Sequence, residues 1–202
     1  MLPIIKDLTI YQGKTFLLPI KWETDPLVYK AITGISKTAP CVVTCVGHEV
    51  PDGWHVAIIS AGGMTQINAK YTPPRDSDYV VATYIDDDTL ELNAVSSAGF
   101  KAYTSGGYVM YRTPKDLTDY TARMSIKDEV GGTELLSLTT ENGRITIDTL
   151  TSTVTLLLDA ADTAAIDWVS GIYDLELVSP DATEVVKALM SGTVTVVEEV
   201  TT

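Results

Sequence analysis

The stretch Asp7-Leu-Thr-Ile-Tyr-Gln-Gly-Lys-Thr-Phe-Leu-Leu-Pro-Ile-Lys-Trp-Glu-Thr24 reads as two strands around Gly13, and a matching vocabulary resumes only at Asp116-Leu-Thr-Asp-Tyr-Thr-Ala-Arg-Met-Ser-Ile-Lys127. Both segments are rich in β-branched and aromatic residues, as strands packed on one face are. From Ala31 to Gly107 the chain changes character and carries its own run of short strands and glycine turns. That pattern reads as a second small β-domain set into a loop of the first. Such an insertion costs little folding free energy, because loop-closure entropy grows only slowly with loop length. The expected division is an outer domain from residues 1–27 and 113–202 and an insert spanning 28–112.

Working outward from that frame, strands are expected at 42–44, 54–59, 79–84, 89–95 and 107–111 in the insert. In the outer domain they are expected at 120–126, 144–147, 153–158, 173–178, 184–189 and 193–197. Each is short and bounded by Gly, Pro, Asp or Asn. Glu141-Asn142-Gly143 and Ser179-Pro180-Asp181-Ala182-Thr183 read as hairpin loops, and Asp86-Asp87-Asp88 as an acidic turn between two strands. One helix is expected over Ala160–Ile166, with Asp159 as its N-cap. Trp22, Tyr120, Trp168 and Tyr173 are expected in the core, whereas Tyr71, Tyr103 and Tyr108 are expected to be exposed. The fold class is therefore all-β.

Composition bounds the function. The 202 residues include 45% hydrophobic residues, with a mean hydropathy of +0.14, so the chain can bury a core in each of two domains. No apolar run approaches the roughly 18 residues of a helical membrane span, and the start, Met-Leu-Pro-Ile-Ile-Lys-Asp, lacks the pattern of a secretory signal. The expectation is synthesis and assembly in a cytoplasm, without a membrane partner. The net charge is −13. Residues 28–112 carry six Lys/Arg against eight acids, a net of −2, which leaves −11 for the outer segments. A chain of that sign repels phosphate backbones, so no nucleic-acid partner is expected.

Catalytic and metal-binding patterns are sparse. The two histidines, His48 and His55, and the two cysteines, Cys41 and Cys45, supply the residue types of a zinc site, but Cys-x3-Cys followed by His-x6-His is not a zinc spacing. On an extended strand the two cysteines would share a face roughly 13 Å apart, too far to bridge, so reduced and partly buried thiols are expected. No Gly-x-Ser-x-Gly elbow is present, Asp86-Asp87-Asp88 lacks the rhythm of a calcium loop, and Gly62-Gly63 and Gly106-Gly107 are not followed by the Lys-Ser/Thr of a phosphate loop. The expectation is a protein without catalytic residues, metal or cofactor.

Against that background, Leu-Thr-Asp-Tyr-Thr-Ala-Arg-Met-Ser-Ile-Lys127, Glu141-Asn-Gly-Arg-Ile-Thr-Ile147 and Gly171-Ile-Tyr-Asp-Leu-Glu-Leu177 resemble the immunoglobulin-like domain of tailed-bacteriophage virion proteins, best known at the N-terminus of baseplate upper proteins. In the insert, Ile32-Thr-Gly-Ile-Ser, Gly62-Gly-Met-Thr-Gln-Ile-Asn68, Asp88-Thr-Leu-Glu-Leu92 and Tyr103-Thr-Ser-Gly-Gly107 are similar to a small β-barrel repeat of phage tail proteins. That repeat is labelled as similar to the first catalytic-cysteine half-domain of ubiquitin-activating enzymes, a likeness of fold and not of ubiquitin chemistry. Asn68-Ala-Lys-Tyr-Thr-Pro-Pro-Arg75 departs from the repeat by lengthening a strand approach.

The resemblance implies an immunoglobulin-like β-sandwich, discontinuous in sequence, carrying an inserted small β-barrel. It implies a structural virion protein of a tail, collar or baseplate, present in multiple copies or as a homo-oligomer beside other phage structural proteins. A capsid decoration protein or a module reading host-surface carbohydrate is the alternative, and the latter should expose aromatic platforms beside polar side chains. Attachment is expected through the sandwich. The tip of the insert, Gly62, Gly63, Met64 and Tyr103, is the candidate for a lighter partner contact.

Overall fold

The computed structural model describes residues 4–181 and 186–199. The chain is nearly all β and divides into two compact units, Met1–Lys21 with Asp116–Thr202, and Trp22–Lys115. The boundaries lie outside 27/28 and 112/113, because Glu23 and Thr24 pair with Pro114 and Thr113 and so belong to the insert's own sheet.

In the first unit, β1 (Ile4–Ile5) and β2 (Leu8–Tyr11) both run parallel to β16 (Val186–Val197). The sheet continues antiparallel through β15 (Ser170–Val178), β11 (Thr121–Lys127) and β12 (Glu134–Thr139). A second sheet joins β13 (Ile145–Asp148), β14 (Thr153–Leu158) and β3 (Phe16–Lys21). Lettered by chain order and read across each sheet, with β2 beside β16, these two sets are strands A′, G, F, C and C′, and strands D, E and B, of an immunoglobulin-type sandwich. The second unit occupies the B-to-C connection.

Alternation places Leu8 and Ile10, Ala122, Met124 and Ile126, and Tyr173, Leu175 and Leu177 on the buried face of the large sheet, with Val154, Leu156 and Leu158 buried on the small one. Each Leu, Ile, Val or Met among them contributes about 1.5–3 kcal/mol when fully removed from water. Two expected strands at the C-terminus are one in the structure, β16, with a bulge that leaves Leu189 between Met190 and Ala188, the partners of Leu175 and Glu176. Gly192 interrupts the apolar pattern for a reason of space: a Cβ there would run into the carbonyl of Lys6. The loop expected at 179–183 and the start of the strand expected at 184–189 lie partly outside the described residues.

Glu141-Asn142-Gly143 is not a hairpin. It carries the chain from β12 in one sheet to β13 in the other, and the Asn142 side chain holds the corner by accepting from the Thr139 and Arg144 amides at 2.9 and 3.1 Å. The helix forms as α1 (Ala160–Ala164), with the Asp159 carboxylate accepting from the Asp162 amide at 2.7 Å. Trp168, expected in the core, is half-buried; Ile166, at 7% exposure, fills the inward position after the helix instead. Tyr120 is likewise half-buried and precedes its strand, while Tyr173 is in the core as expected.

The second unit is one antiparallel sheet of seven strands in the order β4 (Glu23–Ala31), β10 (Tyr108–Pro114), β7 (Trp54–Ile59), β8 (Val80–Asp86), β9 (Thr89–Leu92), β6 (Cys41–Thr44) and β5 (Gly34–Ile35). Its two edge strands, β4 and β5, are consecutive in the chain. At the bend between them, the Ile32 amide donates to the Gly107 carbonyl at 3.0 Å and the Thr33 amide to the Thr44 carbonyl at 2.9 Å, on opposite sides. The sheet is therefore rolled and joined through the chain, with no ladder between β4 and β5 among the described residues. Trp54, Val56, Val43, Leu90, Leu92 and Val109 fill its interior at 0% exposure. Trp22, expected in the core, is buried at the start of this unit.

Candidate functional site

The tip of the insert is built for internal packing. Met64 is 0% exposed, so it has no surface to offer a partner. Gly63 has φ of +76° and a Cβ there would strike the Ala102 carbonyl, while a Cβ on Gly62 would lie 2.7 Å from the Ser105 carbonyl. The two glycines are needed because the 61–64 and 102–107 backbones touch. Tyr103, expected to be exposed, packs on the core and donates its hydroxyl to the Ile32 and Gly106 carbonyls at 3.0 and 2.9 Å. Met64 is buried and Tyr103 is held half-buried by these bonds, so both serve the packing of the tip.

The histidines and cysteines do not converge. Cys41 and Cys45 are buried and free, and burial pushes the Cys45 thiol up to about 11. His48 is fully buried in the loop that faces the acidic turn. Its Nδ1 accepts from the Val50 amide at 2.9 Å, which fixes the neutral tautomer whose Nε2–H donates to the Asp86 carbonyl at 2.8 Å. Asp87 and Asp88 are tied to the same loop: their carbonyls accept from the His48 and Cys45 amides at 3.2 and 2.7 Å, and the Asp88 carboxylate accepts from the Gly47 amide at 3.0 Å. The Asp86-Asp87-Asp88 turn is therefore a clamp on a loop. Among the described residues, no three His, Cys, Asp or Glu side chains are placed to share a metal ion.

Chemistry collects on the outer face of the rolled sheet. Register puts Tyr108, Met110 and Arg112 of β10 beside Ala31, Tyr29 and Leu27 of β4, and Ala57 of β7 opposite Met110, so these side chains share one face. That face lies opposite the core-facing Val109 and Tyr111. At one end a hollow of about 270 Å³ is lined by Glu23, His55, Pro74, Asp76, Tyr79 and Arg112. The Glu23 carboxylate lies 3.7 Å from His55 Nδ1 and 3.9 Å from Arg112 Nε, and Arg112 Nη1 reaches the Asp25 carboxylate at 3.0 Å. Tyr79 is half-buried; its hydroxyl is pushed up, first by burial, with Arg112 opposing and Glu23 adding to the shift. Toward the other end Tyr29 and Tyr108 meet edge to face at 6.4 Å, and both are about half exposed, at 51% and 44%. On the excursion beside the hollow, the Arg75 guanidinium lies 3.9 Å above the exposed ring of Tyr71.

Tyr71 and Tyr108 are exposed, as expected from the sequence; His55 enters that reading only as a possible zinc ligand, and Tyr29, Glu23 and Arg112 do not stand out in it. Their signal was the alternation in Tyr108-Val-Met-Tyr-Arg112, whose odd members face one way, but nothing local says that β4 and β7 flank it. In the sandwich, a second hollow of about 380 Å³ lies over the face that carries Arg123, Ser125 and Lys127 of β11 and Asp174 and Glu176 of β15. Two of its acids are engaged within the sheet: Arg123 pairs with Glu176 at 2.8 Å, and Ser125 donates to Glu134 at 2.7 Å. Comparison of the sequence with protein-family models and with curated proteins finds no match.

Proposed function

We propose that this chain is a structural virion protein of a tailed bacteriophage, in a tail, collar or baseplate, that attaches to neighbouring subunits through its sandwich and presents the inserted unit. It works by holding other proteins, in several copies, without catalysis and without a cofactor. The observation that carries this reading is how the insert leaves the sandwich. Its first and last strands pair with each other from Glu23 opposite Pro114 onward, and the Lys115 amide donates to the Trp22 carbonyl at 3.0 Å. A unit whose ends are bonded together and whose core is its own is a module displayed on a carrier. The virion assignment itself rests on the resemblance of the outer segments to phage immunoglobulin-like domains.

Attachment through the sandwich is supported by its apolar exposure. Edge strand β1 presents Ile4 and Ile5 at 60% and 82%, and Tyr11 and Leu17 are each more than half exposed, at 57% and 61%. An edge strand with apolar side chains is a ready surface for pairing with another chain. Mass spectrometry of purified particles from the encoding phage tests the proposal: the chain is expected in them at a fixed stoichiometry with another tail or head protein. Its absence from particles, or stoichiometric metal binding or hydrolysis by the isolated protein, would overturn it.

A further inference from the structure

The outer face of the inserted unit combines features that a purely packing surface does not need. Two tyrosine rings lie about half exposed, meeting each other edge to face, and they sit on the same strand face as a hollow lined by carboxylates, an imidazole and a guanidinium. From Tyr108 to Arg112 along β10 the face runs about 13 Å, at about 3.3 Å per residue, with Tyr29 beside its middle and Met110, between the two ends, buried. That is an apolar platform followed by a cluster of planar hydrogen-bonding groups.

We propose that this face binds a neutral oligosaccharide, with Tyr29 and Tyr108 stacking on sugar rings and Glu23, His55, Asp76 and Arg112 bonding to hydroxyls in the hollow. A pyranose has an apolar C–H face and a rim of hydroxyls, so it needs an aromatic surface beside polar side chains with little room between them. Carboxylates accept from two neighbouring hydroxyls, and a guanidinium donates to two acceptors. Charge selects among sugars. Glu23, Asp25 and Asp76 outnumber Arg112 and the neighbouring Arg75, and the Arg112 guanidinium is already 3.0 Å from Asp25, so a sialylated or phosphorylated glycan is disfavoured against an uncharged one.

The inference rests on the proposed function for the setting alone, a presented module meeting a host surface, and the two can fail separately. The test uses the full chain on an array of maltotriose, lactose-terminated and chitotriose oligosaccharides beside sialylated and phosphorylated ones, followed by calorimetric titration of the hits. Binding to at least one neutral oligosaccharide is expected. Tyr108→Ala and Tyr29→Ala, both at exposed positions, should each weaken it by about tenfold, the equivalent of 1.4 kcal/mol. Val130→Ser, on a sandwich loop at 92% exposure, should leave it unchanged. Retention of only anionic glycans, no retention by a protein whose near-ultraviolet dichroism shows both units folded, or binding indifferent to both tyrosines would overturn the proposal. Particles that contain the chain with no glycan binding sink this inference alone; glycan binding by a chain absent from particles sinks the virion reading alone.

Discussion

His48 shows how much one side chain can organise. It is 0% exposed, and its two nitrogens satisfy the Val50 amide and the Asp86 carbonyl, joining a loop to a turn thirty-eight residues along the chain. Its own carbonyl accepts from the Tyr111 hydroxyl at 2.7 Å. Removing the ring strands the buried Val50 amide, at a cost of about 1–3 kcal/mol, breaks the part-buried bond to the Asp86 carbonyl and empties the volume of a buried ring. His48→Ala is therefore expected to lower the stability of the inserted unit by about 2–4 kcal/mol in urea titration; a change under 0.5 kcal/mol, the ordinary scatter for a surface site, would contradict its structural role. Buried groups whose protons are released late set the alkaline limit, Cys45 and Tyr173 among them. Burial raises Cys45 from 9.0 to about 11 in the inserted unit, and raises Tyr173, whose hydroxyl donates to the Lys6 carbonyl at 2.6 Å, from 10.0 to about 12 in the sandwich. In both cases the unfolded chain releases its proton at a lower pH than the folded one. Stability is thus complete below about pH 9 and is lost as pH rises through 9 to 11 for Cys45 and 10 to 12 for Tyr173. Melts recorded from pH 8 to pH 11.5 should fall steadily, and Cys45→Ala should flatten the first part of that fall.

Among the elements, α1 is the clearest case of a local signal meeting long-range support. Its five residues are too few to be helical alone. Asp159 caps the start, Arg144 grips Asp162 with two bonds at 2.7 and 3.2 Å, and the buried Thr163 hydroxyl donates to the Lys14 carbonyl at 2.9 Å. Asp159→Ala should cost about 1 kcal/mol, read as a shift of the urea midpoint with an unchanged slope. The cap was legible because it is written in adjacent residues, and the strands at Trp54–Ile59 and Thr153–Leu158 were legible with their bounds because apolar and β-branched residues fill them. β4 was hidden by Asp25-Pro26, which a strand reading rejects for want of an amide donor. The sheet absorbs it with an irregularity opposite Arg112 and Thr113. β12, Glu-Leu-Leu-Ser-Leu-Thr, carries helix-forming residues and no clean alternation, and is a strand because β11 offers it an edge. The candidate face was illegible for a related reason: Tyr29, His55 and Arg112 sit on three strands distant in sequence, and only the order β4-β10-β7 makes them neighbours.

At the scale of the whole chain, the covalent path and the cores divide differently. The sandwich is assembled from segments separated by the whole of residues 22–115, with β3 before the insert pairing with β14 long after it, yet each unit buries its own apolar set. Parallel pairing of β1 and β2 with β16 further ties the start of the sandwich to its end. The long connection is tolerable because closing a loop of some ninety residues costs only about 0.6 kcal/mol more per doubling of length than closing a shorter one. In addition, the insert's own ends are already held together by the β4–β10 ladder. Replacing residues 22–115 with a short Gly-Ser turn between Lys21 and Asp116 should therefore leave a sandwich with β-type dichroism and a single cooperative melt. The excised 22–115 segment, closed by the same ladder, should melt cooperatively as well. A sandwich that fails to fold without the insert, while the excised segment folds, would mean that the B-to-C connection is part of the outer core and not a loop.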